Sequence, residues 1–237
     1  MRGGGQPAPR AALHAVLRRP TFHSRGIPAS NSIVTLYQIK PKFQALLRPL
    51  VRWLAARGVM ANQVTVAAML GSFAVGASIA TQTAWPAMFL LMPAWLFIRM
   101  ALNAIDGMLA REHGQKSALG AYLNELGDVA SDLALALPFM RFGVEVVAFA
   151  LLAVVVECAG LIGPLAGASR RYDGPLGKSD RALALGALAL WLGLGLPLEP
   201  AWQRALWWAL SLLCLLTIVN RVRRGVAEAR ESQAKRG

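Results

Sequence analysis

Leu102–Asp132 reads LNAIDGMLAREHGQKSALGAYLNELGDVASD. Long apolar runs overlap both of its ends, Trp85 to Leu109 and Ala118 to Met140, so the stretch marks the junction of two hydrophobic helices. It is far too polar for that setting. Asn103 and Asp106 stand three apart and share one helix face, while Asn124, Asp128 and Asp132 stand four apart on the next helix and drift by only about 40° per step. Two facing helices therefore aim oxygen ligands at one point. Carboxylates at or inside a bilayer are costly to keep, which points to function rather than to surface decoration.

Outward from this junction the chain continues in the same apolar style. The segments Val64 to Ala84, Trp85 to Leu109, Ala118 to Met140, Val144 to Ala166, Ala182 to Leu198 and Ala201 to Val222 are each long enough, or nearly so, to cross a bilayer core. Before them, Leu36, Ile39, Phe43, Leu46, Leu47, Leu50, Trp53 and Leu54 recur at helical spacing with Lys40, Lys42, Arg48 and Arg52 between them, which predicts an amphipathic surface helix over residues 35–57. The fold class expected is all-α: a polytopic membrane protein of six transmembrane helices preceded by that surface helix. Residues 1–33 read as a disordered basic extension, residues 34–226 as the membrane domain and residues 227–237 as a basic cytoplasmic tail.

Composition agrees. Of 237 residues 56% are hydrophobic, the formal net charge is +13, and the mean hydropathy is +0.46. The basic residues fall between apolar runs instead of forming a polar stripe, which excludes a nucleic-acid footprint and makes the charge a topology signal. The connections holding Arg111, Lys116, Arg170, Arg171, Lys178 and Arg181 are basic, as are both ends of the chain, so these face the cytoplasm; Arg141 alone falls on the other side. Trp53, Trp85, Trp202, Trp207 and Trp208 near span ends read as interface anchors. Cys158 and Cys214 sit in apolar runs without metal-ligand spacing and read as packing residues.

Carboxylate and amide oxygens at the junction suit a hard cation, Mg²⁺ or Mn²⁺, able to hold a phosphate or pyrophosphate. Gly107, Ala110 and Gly120 are small where a nucleotide needs room. Arg99 and Glu157 lie deeper, and either line a headgroup cavity or pair with one another.

The spacing Asn103, Asp106-Gly107, Ala110-Arg111, Gly120, Asn124, Asp128 resembles the CDP-alcohol phosphatidyltransferase signature, which runs Asp, two residues, Asp-Gly, two residues, Ala-Arg, eight residues, Gly, three residues, Asp, three residues, Asp. TLYQIKP, LNELGDVASD and GKSDRA extend the resemblance, from about Thr35 to Arg224, to a branch of bacterial inner-membrane members. It implies metal-dependent transfer of a phosphatidyl group from a CDP-linked lipid such as CDP-diacylglycerol to an alcohol or phospho-alcohol, with release of CMP, by a homodimer. It also implies metal ligation by Asn103, Asp106, Asn124 and Asp128, with Asp128 as general base and Asp132 as the alternative. Arg111 would meet a phosphate. Asn62, in ANQVT with Ala61 where the family has proline, would seat the nucleotide or cap a helix. Lys178, Arg170 and Arg171 would contact the acceptor or the lipid phosphate, and such a basic loop favours an acceptor bearing phosphate.

The resemblance has two departures. Asn103 and Asn124 replace aspartates, which removes two negative charges and weakens the hold on a pair of divalent ions. A nucleotide-lipid-binding protein without catalysis is therefore the main alternative. A small transporter is a weaker one, because the later spans are almost wholly Leu, Ala, Val and Gly.

Overall fold

The computed structural model describes residues 36–82 and 84–235; the N-terminal extension expected at residues 1–33 lies outside them. The chain divides into two units, Met1–Ile39 and Lys40–Gly237, and the helical bundle is the second. Among the described residues seven α-helices follow in order: α1 Leu36–Ala56, α2 Ala61–Thr81, α3 Leu91–Glu112, α4 Ala118–Ala136, α5 Val144–Leu161, α6 Lys178–Gly193 and α7 Pro200–Ala234. Short 3₁₀ segments precede α3 and follow α4 and α5.

The helix limits have local causes. Gly58, at φ +76°, makes the left-handed turn between α1 and α2. At the start of α2 the Met60 amide donates to Gln63 Oε1 (2.9 Å) and the Ala61 amide to Gln115 Oε1 (2.7 Å), so a side chain from the α3–α4 connection satisfies an orphan donor. Asn62 is not the cap. Ser117 Oγ accepts from the Gly120 amide (2.9 Å) to open α4. Pro138 has no N–H to give, and α4 tightens into the 3₁₀ segment Leu137–Phe142. α6 starts at Lys178, ahead of the apolar run expected from Ala182, because Asp180 Oδ2 accepts from the Gly177 amide (2.9 Å). The segment expected to end at Val222 continues as α7 to Ala234, so the expected tail from residue 227 is mostly helix.

Packing is dominated by α2 on α4 and α3, and by α5 on α7; α6 lies on α3 and the turn before it. The core gathers Phe89, Phe139, Phe149, Leu135, Val146 and Trp207. Trp207 is thus not an interface anchor: it is 1% exposed, with ring centroids 5.5 Å from Phe139 and 5.4 Å from Phe149. Trp53, Trp85, Trp202 and Trp208 are exposed, as an interface role requires. Cys214 is buried, but Cys158 faces outward and does not pack in the core. Arg141 lies over the rings of Phe89 (4.7 Å) and Phe142 (5.1 Å).

A second apolar cluster ties α1 to the ends of α2 and α3, with Val51 against Ala61, Val64, Ile105, Met108 and Leu109. Arg48 Nη2 adds an ion pair to Glu112 (3.1 Å), while Leu46 and Trp53 remain exposed. α2, Pro86–Glu112, α5 and α7 are each long and apolar enough to cross a membrane. α4 carries Glu125, Asp128 and Asp132, and α6 has 16 residues, so these two do not meet that measure unaided.

Contact between α2 and α4 depends on Gly76. A Cβ there would lie 2.1 Å from the carbonyl oxygen of Ala134, a backbone atom with no room to retreat. Gly76→Ala is expected to destabilise the bundle by about 1–3 kcal/mol, read as a lower thermal midpoint in detergent.

Candidate active site

α3 and α4 bring the expected donors together. Asp106 is buried, and its Oδ2 accepts from Thr65 Oγ1 of α2 (3.0 Å), a hydroxyl also within reach of the Ala61 carbonyl (3.1 Å). Asp128 Oδ1 accepts from Arg99 Nη2 (3.1 Å) and stands 3.5 Å from Asn103 Nδ2. Its Oδ2 is paired with Lys178 Nζ at the first residue of α6. Asn124 is half-buried one turn before Asp128 and has no side-chain hydrogen bond among the described residues.

The space beside Gly120 is taken by Asn62 and Ser117, since a Cβ there would lie 2.7 Å from Asn62 Oδ1 and 3.0 Å from Ser117 Oγ. Asn62 is thereby placed against the start of α4. Over Gly107 folds the exposed guanidinium of Arg111, which would be 3.0 Å from a Cβ and has no carboxylate partner among the described residues. Ala110 packs toward the apolar cluster of α1, α2 and α3. Beside that cluster, Leu50, Leu54, Val64, Ala67, Leu102 and Ile105 border an open apolar groove of about 380 Å³.

Behind Asp128 runs a chain of buried ion pairs. Arg99 Nη1 donates to Asp132 Oδ1 (2.7 Å), Arg181 Nη2 reaches Asp132 Oδ2 (3.3 Å) and Glu157 Oε1 (2.7 Å), and Arg221 Nη1 stands 3.9 Å from Glu157 while donating to the Val156 carbonyl (2.5 Å). Arg99, Asp132, Glu157 and Arg181 line one side of a cavity of about 30 Å³, room for one water. Glu157 pairs with Arg181 and Arg221; Arg99, the partner considered from sequence, turns to Asp128 and Asp132 instead. Asp132 has both oxygens held by guanidinium groups, Arg99 on Oδ1 and Arg181 on Oδ2.

The α5–α6 connection is braced on two sides. Arg170 forks onto Glu125 of α4, with Nη2 to Oε2 at 2.8 Å, and lies 5.1 Å from the Tyr172 ring. Arg171 turns away toward α7, where it pairs with Asp173 and with Glu228; Glu228 also accepts from the Ser169 amide and hydroxyl, each at 2.9 Å. Burial pushes the Asp173 carboxyl upward, but Arg171 and Arg224 outweigh it and hold the group below its usual range. Asn103, Asp128 and Lys178 therefore touch, Asp106 is held by Thr65 of α2, Arg170 is engaged by Glu125, and Arg171 stands apart. Thr65 joins the site through Asp106, and Arg181 joins the ion-pair chain behind it through Asp132 and Glu157. Arg181 falls three residues after Lys178, the spacing that puts both on one helix face.

Among the described residues no three of His, Cys, Asp and Glu gather as a metal site. Two carboxylates, Asp106 and Asp128, are supplemented by two amides, Asn103 and Asn124. That donor set has the oxygen chemistry of a hard divalent cation, while Arg99 and Lys178 already offset the charge of Asp128.

A model of the CDP-alcohol phosphatidyltransferase family matches residues 58–219, which contain every one of these groups. The chain belongs to that family. It is 47% identical over 197 residues to the inner membrane protein YnbA of Escherichia coli (strain K12), covering 80% of this chain and 96% of that protein. Among solved structures, Mycobacterium tuberculosis phosphatidylinositol phosphate synthase PgsA1 with CDP-DAG bound is similar at a TM-score of 0.62 and 20% identity, over 75% of this chain and 92% of that one. The same enzyme in complex with manganese and citrate gives 0.62 and 19%, over 75% and 87%. At such identities the likeness is one of fold. It agrees with the all-helical bundle.

Proposed function

We propose that this protein transfers a phosphatidyl group from a CDP-linked lipid, CDP-diacylglycerol being the leading candidate, to an alcohol, and releases CMP. The carrying observation is the family's spaced motif on α3 and α4, in which Asn103 lies 3.5 Å from Asp128 and Asp128 is paired with Lys178 of α6. The acceptor oxygen forms a bond to the lipid-linked phosphorus, the bond from that phosphorus to the CMP oxygen breaks, and the acceptor proton passes to Asp128. Asp128 Oδ2 becomes free for this when Lys178 moves from it to a donor phosphate. Arg111 meets the same phosphates from the end of α3, and Asn62 and Gly120 leave the nucleotide its seat. Asp106, Asp128, Asn103 and Asn124 would hold one Mg²⁺ or Mn²⁺, whose charge would neutralise the pyrophosphate and stabilise departing CMP. Asp132 positions Asp128 through Arg99.

The apolar groove beside α1 supports a lipid donor, since it offers an acyl chain a path next to the motif. Six spans are the preferred topology. The carboxylates of α4 are matched by Arg99, Arg170, Arg181 and Lys178, so α4 can cross without bare charge. Leu194 to Leu198 lengthen the apolar reach of α6. With α1 on the surface, the basic ends and loops place both termini and the site on the cytoplasmic side of a bacterial inner membrane. A homodimer is carried over from the family resemblance.

The test is CMP release from CDP-diacylglycerol by full-length protein with a panel of alcohols. Activity with Mg²⁺ or Mn²⁺, abolished by EDTA and restored by metal, is expected. A second reading, a nucleotide-lipid-binding protein, draws on the pairing of Asp128 with both Arg99 and Lys178. Binding of the donor with no CMP from any alcohol would put it first.

A further inference from the structure

A phosphate-bearing acceptor needs a free cation. Recognition of a phosphate dianion by arginine or lysine rests on guanidinium or ammonium groups not already satisfied by a carboxylate. The α5–α6 connection looks basic in sequence, yet the structure matches its cations one by one. Arg170 forks onto Glu125. Arg171 is pinned between Asp173 and Glu228, on the side toward α7. Arg181 is 3% exposed and bridges Asp132 and Glu157. Lys178 rests on Asp128, and Arg111 lies over Gly107 at the end of α3; these two serve the donor in the reading above.

We infer that the acceptor is an alcohol without a phosphate group, uncharged or zwitterionic. The inference rests on the transferase reading and narrows its substrate class. Glu125 is the specificity-determining residue. A phosphorylated alcohol near Asp128 could recruit Arg170 only by taking it from Glu125, and a half-buried carboxylate would then face the incoming dianion. Like charges set side by side exclude the wrong partner. An alcohol carrying only hydroxyl groups, or an internally balanced charge, leaves the fork intact. The inference runs against the expectation from sequence that a basic loop favours a phosphate, because spacing along the chain shows the cations without showing their partners.

The experiment pairs acceptors that differ only in phosphate, glycerol with glycerol 3-phosphate and inositol with inositol 1-phosphate, on full-length protein in detergent. For wild type, kcat/KM for CMP release should favour the phosphate-free member of each pair by about tenfold or more. Glu125→Gln keeps the shape and removes the charge, so Arg170 becomes available. Binding of glycerol 3-phosphate, measured by calorimetry, should then tighten by about tenfold over wild type. Arg170→Gln should leave wild-type binding of glycerol 3-phosphate unchanged. The inference is overturned if wild type prefers the phosphorylated members, if Glu125→Gln and wild type bind glycerol 3-phosphate equally, or if Arg170→Gln weakens that binding. If no alcohol gives CMP, the transferase reading fails separately, and the binding comparison still decides the matter of the cations.

Discussion

Asp128→Asn should lower CMP release by about 10²–10⁴-fold, the usual range for losing a positioned base. The substitution is close to isosteric, so Arg99 and Asn103 retain an oxygen to approach at the Oδ1 position. What disappears is the negative charge facing Lys178 and the capacity to take a proton. Asp132→Asn supplies the contrast. Its carboxylate is held by Arg99 and Arg181, and it acts on the reaction only by setting Arg99, so a smaller fall, on the order of tenfold, is expected for it. Single-turnover CMP formation on both variants, beside circular dichroism to show that each is folded, separates the two roles. If Asp128→Asn keeps more than a tenth of wild-type activity while Asp132→Asn does not, the base is Asp132 and the assignment is reversed.

The motif at the α3–α4 junction was legible because its logic is local. Spacing of three and four along a helix fixes which side chains share a face, and Asn103 of α3 comes within 3.5 Å of Asp128 of α4. Helix existence was legible for the same reason, since apolar runs report burial. Boundaries followed a different physics. α6 begins in the polar stretch KSDR because Asp180 closes its first turn, and α7 outlasts its apolar run because Arg221 and Glu228 on it hold the α5–α6 connection. Partners between distant helices were not legible. Glu157 looked free to pair with Arg99, and only the packing of α7 on α5 and of α6 on α3 decides that it takes Arg181 and Arg221. Trp207 shows the same limit. A tryptophan near a span end resembles an interface anchor until the aromatic cluster of Phe139 and Phe149 claims its ring.

The largest stability effect is expected at Arg181, where helix packing and site meet. It is 3% exposed and joins two carboxylates from different helices, Asp132 of α4 and Glu157 of α5, to α6. Removing one partner of a buried ion pair costs more than the pair contributes, because the abandoned charge remains in a low-dielectric setting. Arg181→Leu should therefore lose on the order of 3–5 kcal/mol, which for a chain of this size corresponds to a midpoint lower by roughly 10 °C. The loss is not evenly shared. Asp132 keeps Arg99 at 2.7 Å, whereas Glu157 is left with Arg221 at 3.9 Å. Adding Glu157→Gln to Arg181→Leu should accordingly recover more than half of the loss, and adding Asp132→Asn should recover less. Arg181→Lys should not substitute, since a single ammonium lacks the fork that spans both acids. Thermal unfolding in detergent, followed by tryptophan fluorescence, reads all four variants. If Arg181→Leu falls within about 1 kcal/mol of wild type, water reaches the cavity beside Glu157 and screens the network. Asp132 would then owe its position to helix packing and not to charge.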